Sequence, residues 1–156
     1  MTAKQNINFS ILSIKELEFN YKNPVESISD FSLEKNPLEA KIKVNYRWNI
    51  EKNLFGVVID FFYVIKDKKK ANKELLKLSF ITEFFIENLK DIFTVRSNTD
   101  FDINERFEST LIGLAISTGR GILLEKTKGT IFNNFIFPII NPIDLILSKK
   151  LKEKKE

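Results

Sequence analysis

Two pairs of carboxylates, Asp100 with Asp102 and Glu16 with Glu18, stand two positions apart, a pairing that general acid–base chemistry can use. The same spacing on a strand or near a helix start describes a capping group or a solvent-facing edge, and their polar surroundings fit that reading better. Gly119-Arg120-Gly121 has the composition of a phosphate loop, yet it falls inside a helical pattern instead of between a strand and a helix. The chain has no His and no Cys, which removes the commonest general base, the soft metal ligands and the thiol nucleophile. No metal-ligand spacing is present, and carboxylates alone suit only hard cations. The expectation is a protein that is not an enzyme, carries no cofactor or metal, and works by surface and shape.

The informative residues then lie between Leu111 and Pro142. Ile131-Phe132, Phe135-Ile136-Phe137 and Ile139-Ile140 make a link between two helical patterns unusually apolar, while Pro138 opposes a regular helix and Asn133-Asn134 a strand core. Such a link either packs on its own domain or lines a groove. Phe is over-used, with 15 residues against 3 Tyr and 1 Trp. A side chain with no polar handle fills a core or lines an apolar surface that asks no hydrogen bond of its ligand. Small residues at Gly113, Ser117 and Gly121 recur every fourth position and suit close approach of a neighbouring element. Arg120 is either a surface cation or a fork tying the helix to a carboxylate in the sheet or in a partner subunit.

A sheet must position these residues. From Leu38 to Ile50 apolar and polar residues alternate strictly, with Ala40, Ile42, Val44, Tyr46 and Trp48 on one side and Lys41, Lys43, Asn45 and Arg47 on the other. A strand split so cleanly belongs to an antiparallel sheet with one wet face. Glu51-Lys52-Asn53 reads as a hairpin turn into a second strand, Leu54 to Lys66, apolar on both sides at its middle; a third runs from Leu75 to Leu89. Upstream, Ile7, Phe9 and Ile11 keep one phase and Leu17, Phe19 and Tyr21 resume it after Leu12-Ser13-Ile14, so a first strand from about Asn6 to Tyr21 contains a bulge. Lys22 to Pro37 reads as a crossover loop.

Beyond Ile103 the period becomes helical. Phe107, Leu111, Leu114, Ala115, Thr118 and Ile122 form one stripe of a helix of roughly two dozen residues, with Asp100 or Asp102 as N-cap. Ile112, Ile116 and Leu123 form a second stripe that needs another partner. A fully buried aliphatic side chain is worth about 1.5 to 3 kcal/mol, so burying this stripe between subunits would recover several kcal/mol. Asn141-Pro142 opens a final helix with Leu145, Ile146 and Leu151.

The net charge of +4 is concentrated in Lys66-Asp67-Lys68-Lys69-Lys70 and in the tail from Lys149. Without interleaved aromatics these runs read as a solvated turn and a frayed helix end, not as a nucleic-acid surface. No window approaches the ~20 apolar residues of a membrane span, and the N-terminus lacks a signal-peptide core. A cytoplasmic protein is expected.

The order of elements and these residues together resemble the SecB family of export chaperones. The likeness rests on the phase-broken first strand (Phe9-Ser10-Ile11 to Glu18-Phe19-Asn20), the crossover loop, the three-strand meander and the long helix. It continues through the Gly129-Thr130 step, the link with Phe137-Pro138 and Asn141-Pro142, and the C-terminal helix. The resemblance implies an α+β fold: a four-stranded antiparallel sheet made of strand 1, crossover loop and meander, covered on one face by the long helix and the C-terminal helix. It covers a single domain, 1–156, with about the first five residues and 150–156 frayed.

The resemblance further implies an ATP-independent holdase that binds unfolded or nascent polypeptides in apolar grooves and assembles as a homotetramer, a dimer of dimers. Carried onto this chain, the groove would be lined by Ile28, Phe31 and Leu33 of the crossover loop, by Trp48 and Phe61, and by Phe135, Phe137, Ile140 and Leu145. Each is equally at home in an ordinary core. Ile112, Ile116 and Leu123 would form the interface between subunits. The family members that serve the secretion motor SecA present an acidic sheet face, whereas this chain has Lys41, Lys43 and Arg47 there, Asn20 in place of a carboxylate, and a lysine-rich tail. Those departures argue against SecA and leave protein export open beside a dedicated client such as an antitoxin. A carrier of a small apolar ligand such as lipid is the alternative from another class.

Overall fold

The computed structural model describes residues 6–22, 38–65 and 73–153. The crossover loop with Ile28, Phe31 and Leu33, the lysine turn after Ile65, and the two chain ends lie outside the described residues. Four long strands, β1 (Phe9–Tyr21), β2 (Leu38–Asn49), β3 (Leu54–Ile65) and β4 (Lys73–Ile86), form an antiparallel sheet in the order β1-β4-β3-β2. A short helix α1 (Leu89–Ile92) and a two-stranded ribbon, β5 (Phe93–Val95) with β6 (Phe101–Ile103), precede the long helix α2 (Glu105–Lys126) and the final helix α3 (Pro142–Glu153). This is the α+β arrangement expected from the sequence.

Strand periodicity decides which face the helices cover. Phe55, Val57, Ile59, Phe61 and Tyr63 of β3 lie beside Phe84, Thr82, Phe80, Leu78 and Leu76 of β4, and all ten are buried. On the opposite face Lys41, Lys43, Asn45 and Arg47 of β2 are exposed. Val58 and Val64 of β3 are nevertheless buried there; on the same face Ile81 lies against Gly56, and the Lys43 ammonium sits 5.6 Å above the Phe62 ring. In β1 the register slips twice, between Ile11 and Ser13 and between Glu16 and Glu18. The first slip matches the phase break in the sequence; the second, at Leu17, falls inside a run whose alternation reads as regular.

Helix α2 begins one residue after Asn104, whose side chain accepts from the backbone N–H of Arg106 and Phe107 at 3.1 and 3.2 Å. Asp102, one of the two expected caps, is instead in β6 and pairs with Arg96 at 3.1 Å. The two stripes assigned to α2 merge into one buried face made of Phe107, Leu111, Ile112, Ala115, Ile116, Gly119 and Leu123, while Leu114 is exposed. Ile112, Ile116 and Leu123 are therefore buried within the chain itself. Leu114, Ser117, Gly121 and Leu124 form the outward stripe.

Close approach to the sheet occurs at Gly119, not at Gly113, Ser117 or Gly121. A Cβ on Gly119 would stand 2.1 Å from Cζ of Phe80 and 2.7 Å from Cε2 of Phe61, whereas one on Gly121 meets nothing within 4 Å. Gly113 faces Pro142 at the start of α3, where the Asn141 side chain caps the helix by accepting from Ile143 N–H at 3.2 Å.

Candidate functional site

The link between α2 and α3 divides residue by residue between core and solvent. Its first turn, a 3-10 helix over Ile131–Asn134, is held by the Thr130 hydroxyl, which accepts from Phe132 N–H and donates to the Thr127 carbonyl. Ile131, Phe132 and Phe137 are buried, Phe135 and Ile140 half-buried, and Ile136 and Ile139 are 77% and 88% exposed. Pro138 removes one backbone donor, so the segment cannot bury both faces as a strand or continue as a helix.

Aromatic contacts fix the buried half. The Phe137 ring lies 4.2 Å from that of Phe61, and the Phe132 ring is parallel to Tyr63 at 6.0 Å. The Tyr63 hydroxyl donates to the Phe135 carbonyl at 3.0 Å. Burial pushes the Tyr63 phenol up to about 12, against the opposing field of the nearby Arg120 guanidinium. Tyr63 therefore remains a neutral donor and ties the link to β3.

Between the link and the C-terminal half of α2 runs a cleft of about 290 Å³, lined by Ser117, Arg120, Gly121, Leu123, Leu124 and Thr127 on one side and Phe135, Ile136 and Phe137 on the other. Along β2 the inward row Leu38, Ala40, Ile42, Val44, Tyr46 and Trp48 is half-buried against the core, as are Ile140 and Leu145 beyond the link. Trp48 closes the far end of that row, packing on Phe93 and Phe101 at 5.4 and 5.3 Å. Its cross-strand neighbour is Phe55 and that of Ile42 is Phe61, so Trp48 stands about 20 Å from the Phe61–Phe137 contact, at ~3.3 Å per residue. Of the expected groove residues, Phe61, Phe135 and Phe137 come together, Ile140 and Leu145 lie beyond them along the chain, and Trp48 is at the opposite end. Ile136 and Ile139, the most exposed apolar residues of the link, were not singled out by sequence reasoning. Their position one before and one after Phe137-Pro138 is the signal that could have found them.

A second, polar cleft of about 410 Å³ separates the β5–β6 ribbon from α3, lined by Arg96, Asp100, Phe101, Asp102, Glu108, Ile146, Lys149 and Lys150. Glu108 is 6% exposed and accepts from the Tyr46 hydroxyl at 2.7 Å. Burial raises its carboxyl above the ordinary value, against the Tyr46 hydrogen bond and the charges of Lys150 and Lys149. Three of the four paired carboxylates from the sequence are spent on ion pairs: Glu16 meets Lys126 at 2.6 Å, Glu18 meets Lys77 at 2.5 Å, and Asp102 meets Arg96. Among the described residues, no group of three or more acidic side chains could hold a metal ion, and no helix is long and apolar enough to cross a membrane.

Among solved structures, the fold is similar to a SecB-like chaperone from Mycobacterium tuberculosis in complex with a ChAD peptide from the HigA1 antitoxin. The TM-score is 0.51 at 9% identity, over 85% of this chain and 87% of that one. A protein of unknown function from Streptococcus agalactiae aligns over 79% of this chain and 88% of that one at 11% identity, with a TM-score of 0.30. No family model and no curated protein matches the sequence. At 9% identity the first likeness establishes a shared, SecB-like fold.

Proposed function

We propose that this chain is a SecB-like holdase of a single domain that binds unfolded polypeptide without nucleotide and without catalysis. One observation carries the reading. Ile136 and Ile139 stand almost fully in water beside an apolar cleft, on a link whose buried half is pinned by Phe132, Tyr63 and Phe137. An extended client gains many weak contacts from such a fixed apolar strip and tolerates sequence change. The structural neighbour was solved with an antitoxin peptide, which supports the same class of ligand here.

The groove runs from the link, with Phe135, Ile136 and Ile139 as contacts, past Ile140 and Leu145 and along the inward row of β2 toward Trp48. Phe61 and Phe137 form its floor from within the core. Assembly as a dimer of dimers would use the outward face of α2 at Leu114, since Ile112, Ile116 and Leu123 are buried within the chain and Leu124 lines the cleft. The basic β2 face speaks against SecA as a partner, so a dedicated client such as an antitoxin is favoured over general export from the cytoplasm.

Suppression of aggregation tests this reading. A reduced, unfolded test protein diluted into buffer should stay soluble at roughly stoichiometric amounts of this chain without ATP, as followed by light scattering. Unchanged aggregation at excess chain would contradict it.

A further inference from the structure

The cleft between α2 and the link is mostly apolar; beside the hydroxyls of Ser117 and Thr127, the latter bonded to the Leu123 carbonyl, it holds one cation. Arg120 is half-buried, with Leu124 one turn away and Phe135 and Phe137 opposite. The carboxylates at the C-terminal end of α2 are already engaged: Glu16 with Lys126 and Glu125 with Lys128. Among the described residues none pairs with Arg120, and the polar group that feels its field, Tyr63, is a neutral phenol committed to the Phe135 carbonyl. A guanidinium taken partly out of water with no counter-charge carries a desolvation cost that a bound carboxylate offsets. Its planar fork receives both carboxylate oxygens at once, and apolar walls strengthen such charge-assisted bonds.

Resting on the polypeptide-binding reading above, we propose that Arg120 receives an acidic side chain of the bound client, so that the cleft selects segments in which Asp or Glu is flanked by bulky apolar residues. The apolar neighbours of that acid lie against Leu124, Ile136 and Phe135. The site thereby discriminates by one charge within an otherwise tolerant groove: a client with a neutral residue at that point leaves the guanidinium unpaired.

The test uses two short labelled peptides, acetylated and amidated to remove terminal charges, rich in Leu and Phe and identical except for one central Glu or Gln. Fluorescence anisotropy against the full chain should show the Glu peptide bound about tenfold more tightly, equivalent to ~1.4 kcal/mol. Arg120→Met, which keeps an alkyl stem for packing, should weaken the Glu peptide to the level of its twin and leave the Gln peptide unchanged; Arg120→Lys should retain part of the preference. Equal binding of both peptides to the unaltered chain, or a preference that survives Arg120→Met, would overturn the proposal while leaving the polypeptide reading intact. If neither peptide binds, that reading falls and the proposal with it. A drop in oligomer mass on Arg120→Met with an unaltered Glu-to-Gln ratio would give the cleft to a second copy of the chain and also overturn the proposal.

Discussion

The rings of Phe61 and Phe137 meet with centroids 4.2 Å apart and planes inclined by 35°, so the central strand and the helix-connecting link share one layer of core. Between 131 and 140 the chain is thus anchored at Phe132 and Phe137, while Ile136 and Ile139 face solvent. The anchor and the contact surface of the proposed groove are different residues, and substitutions should separate them.

Phe137→Ala should cost about 3 to 5 kcal/mol of stability, the usual penalty for deleting a buried ring. Ile136→Ser and Ile139→Ser remove side chains that stand in water, and should leave stability within about 0.5 kcal/mol while weakening capture of an unfolded client. Chemical denaturation beside a client-binding titration checks both. Full client affinity in the Ile136→Ser, Ile139→Ser double variant would strip the outward face of the link of its role.

Two glycines two positions apart, on opposite faces of α2, should behave oppositely. At Gly119 a methyl group would enter the rings of Phe80 and Phe61, forcing α2 off the sheet, and Gly119→Ala should lower stability by at least ~1 to 3 kcal/mol. At Gly121 the space is open, so Gly121→Ala should raise stability by up to about 1 kcal/mol through helix propensity alone. Melting curves of the two single variants decide it, and equal shifts would contradict the packing described for α2.

Glu108 supplies a pH dependence of definite sign. Its carboxyl is raised above the ordinary 4.5 by burial, so the folded chain holds this proton more tightly than the unfolded chain. Its contribution is most favourable below about pH 4.5 and declines as pH rises from there through the folded value. Glu108→Gln keeps an acceptor for the Tyr46 hydroxyl and cannot ionise. The stability of the variant minus that of the unaltered chain should therefore increase with pH above about 4.5 and then level off. A difference that stays flat across the same range would mean that Lys149 and Lys150 fully offset the burial.

Long-period features were readable in the sequence because many residues vote on each. The alternation from Leu38 to Ile50 places β2 and its wet face, and Asn141-Pro142 marks the start of α3 to the residue. Short elements carry no period: the ribbon β5–β6 has three residues per strand and is set by turn chemistry, with the Ser97 hydroxyl accepting from Thr99 and Asp100 N–H at 3.3 and 3.1 Å. That ribbon takes Asp102 away from the helix and leaves Asn104 to cap it.

The α2 stripes show a different limit. Helical spacing sorts residues by angle, but the width of the buried face depends on how close the helix lies to the sheet, which Gly119 sets through Phe80 and Phe61. A closer helix buries a wider face, so Ile112, Ile116 and Leu123 join the core. In the link, the apolar count announced a surface of interest without revealing that Phe137 turns in while Ile136 and Ile139 turn out. That choice is made by Phe61 and Tyr63, about seventy positions away.

Hydrogen–deuterium exchange of the full chain with and without a bound unfolded polypeptide tests the central claim most directly. Protection should appear at 135–141 and along β2, with the β1 and β4 amides unchanged. Protection confined to β1, or none at saturating client, would contradict the groove and the function built on it.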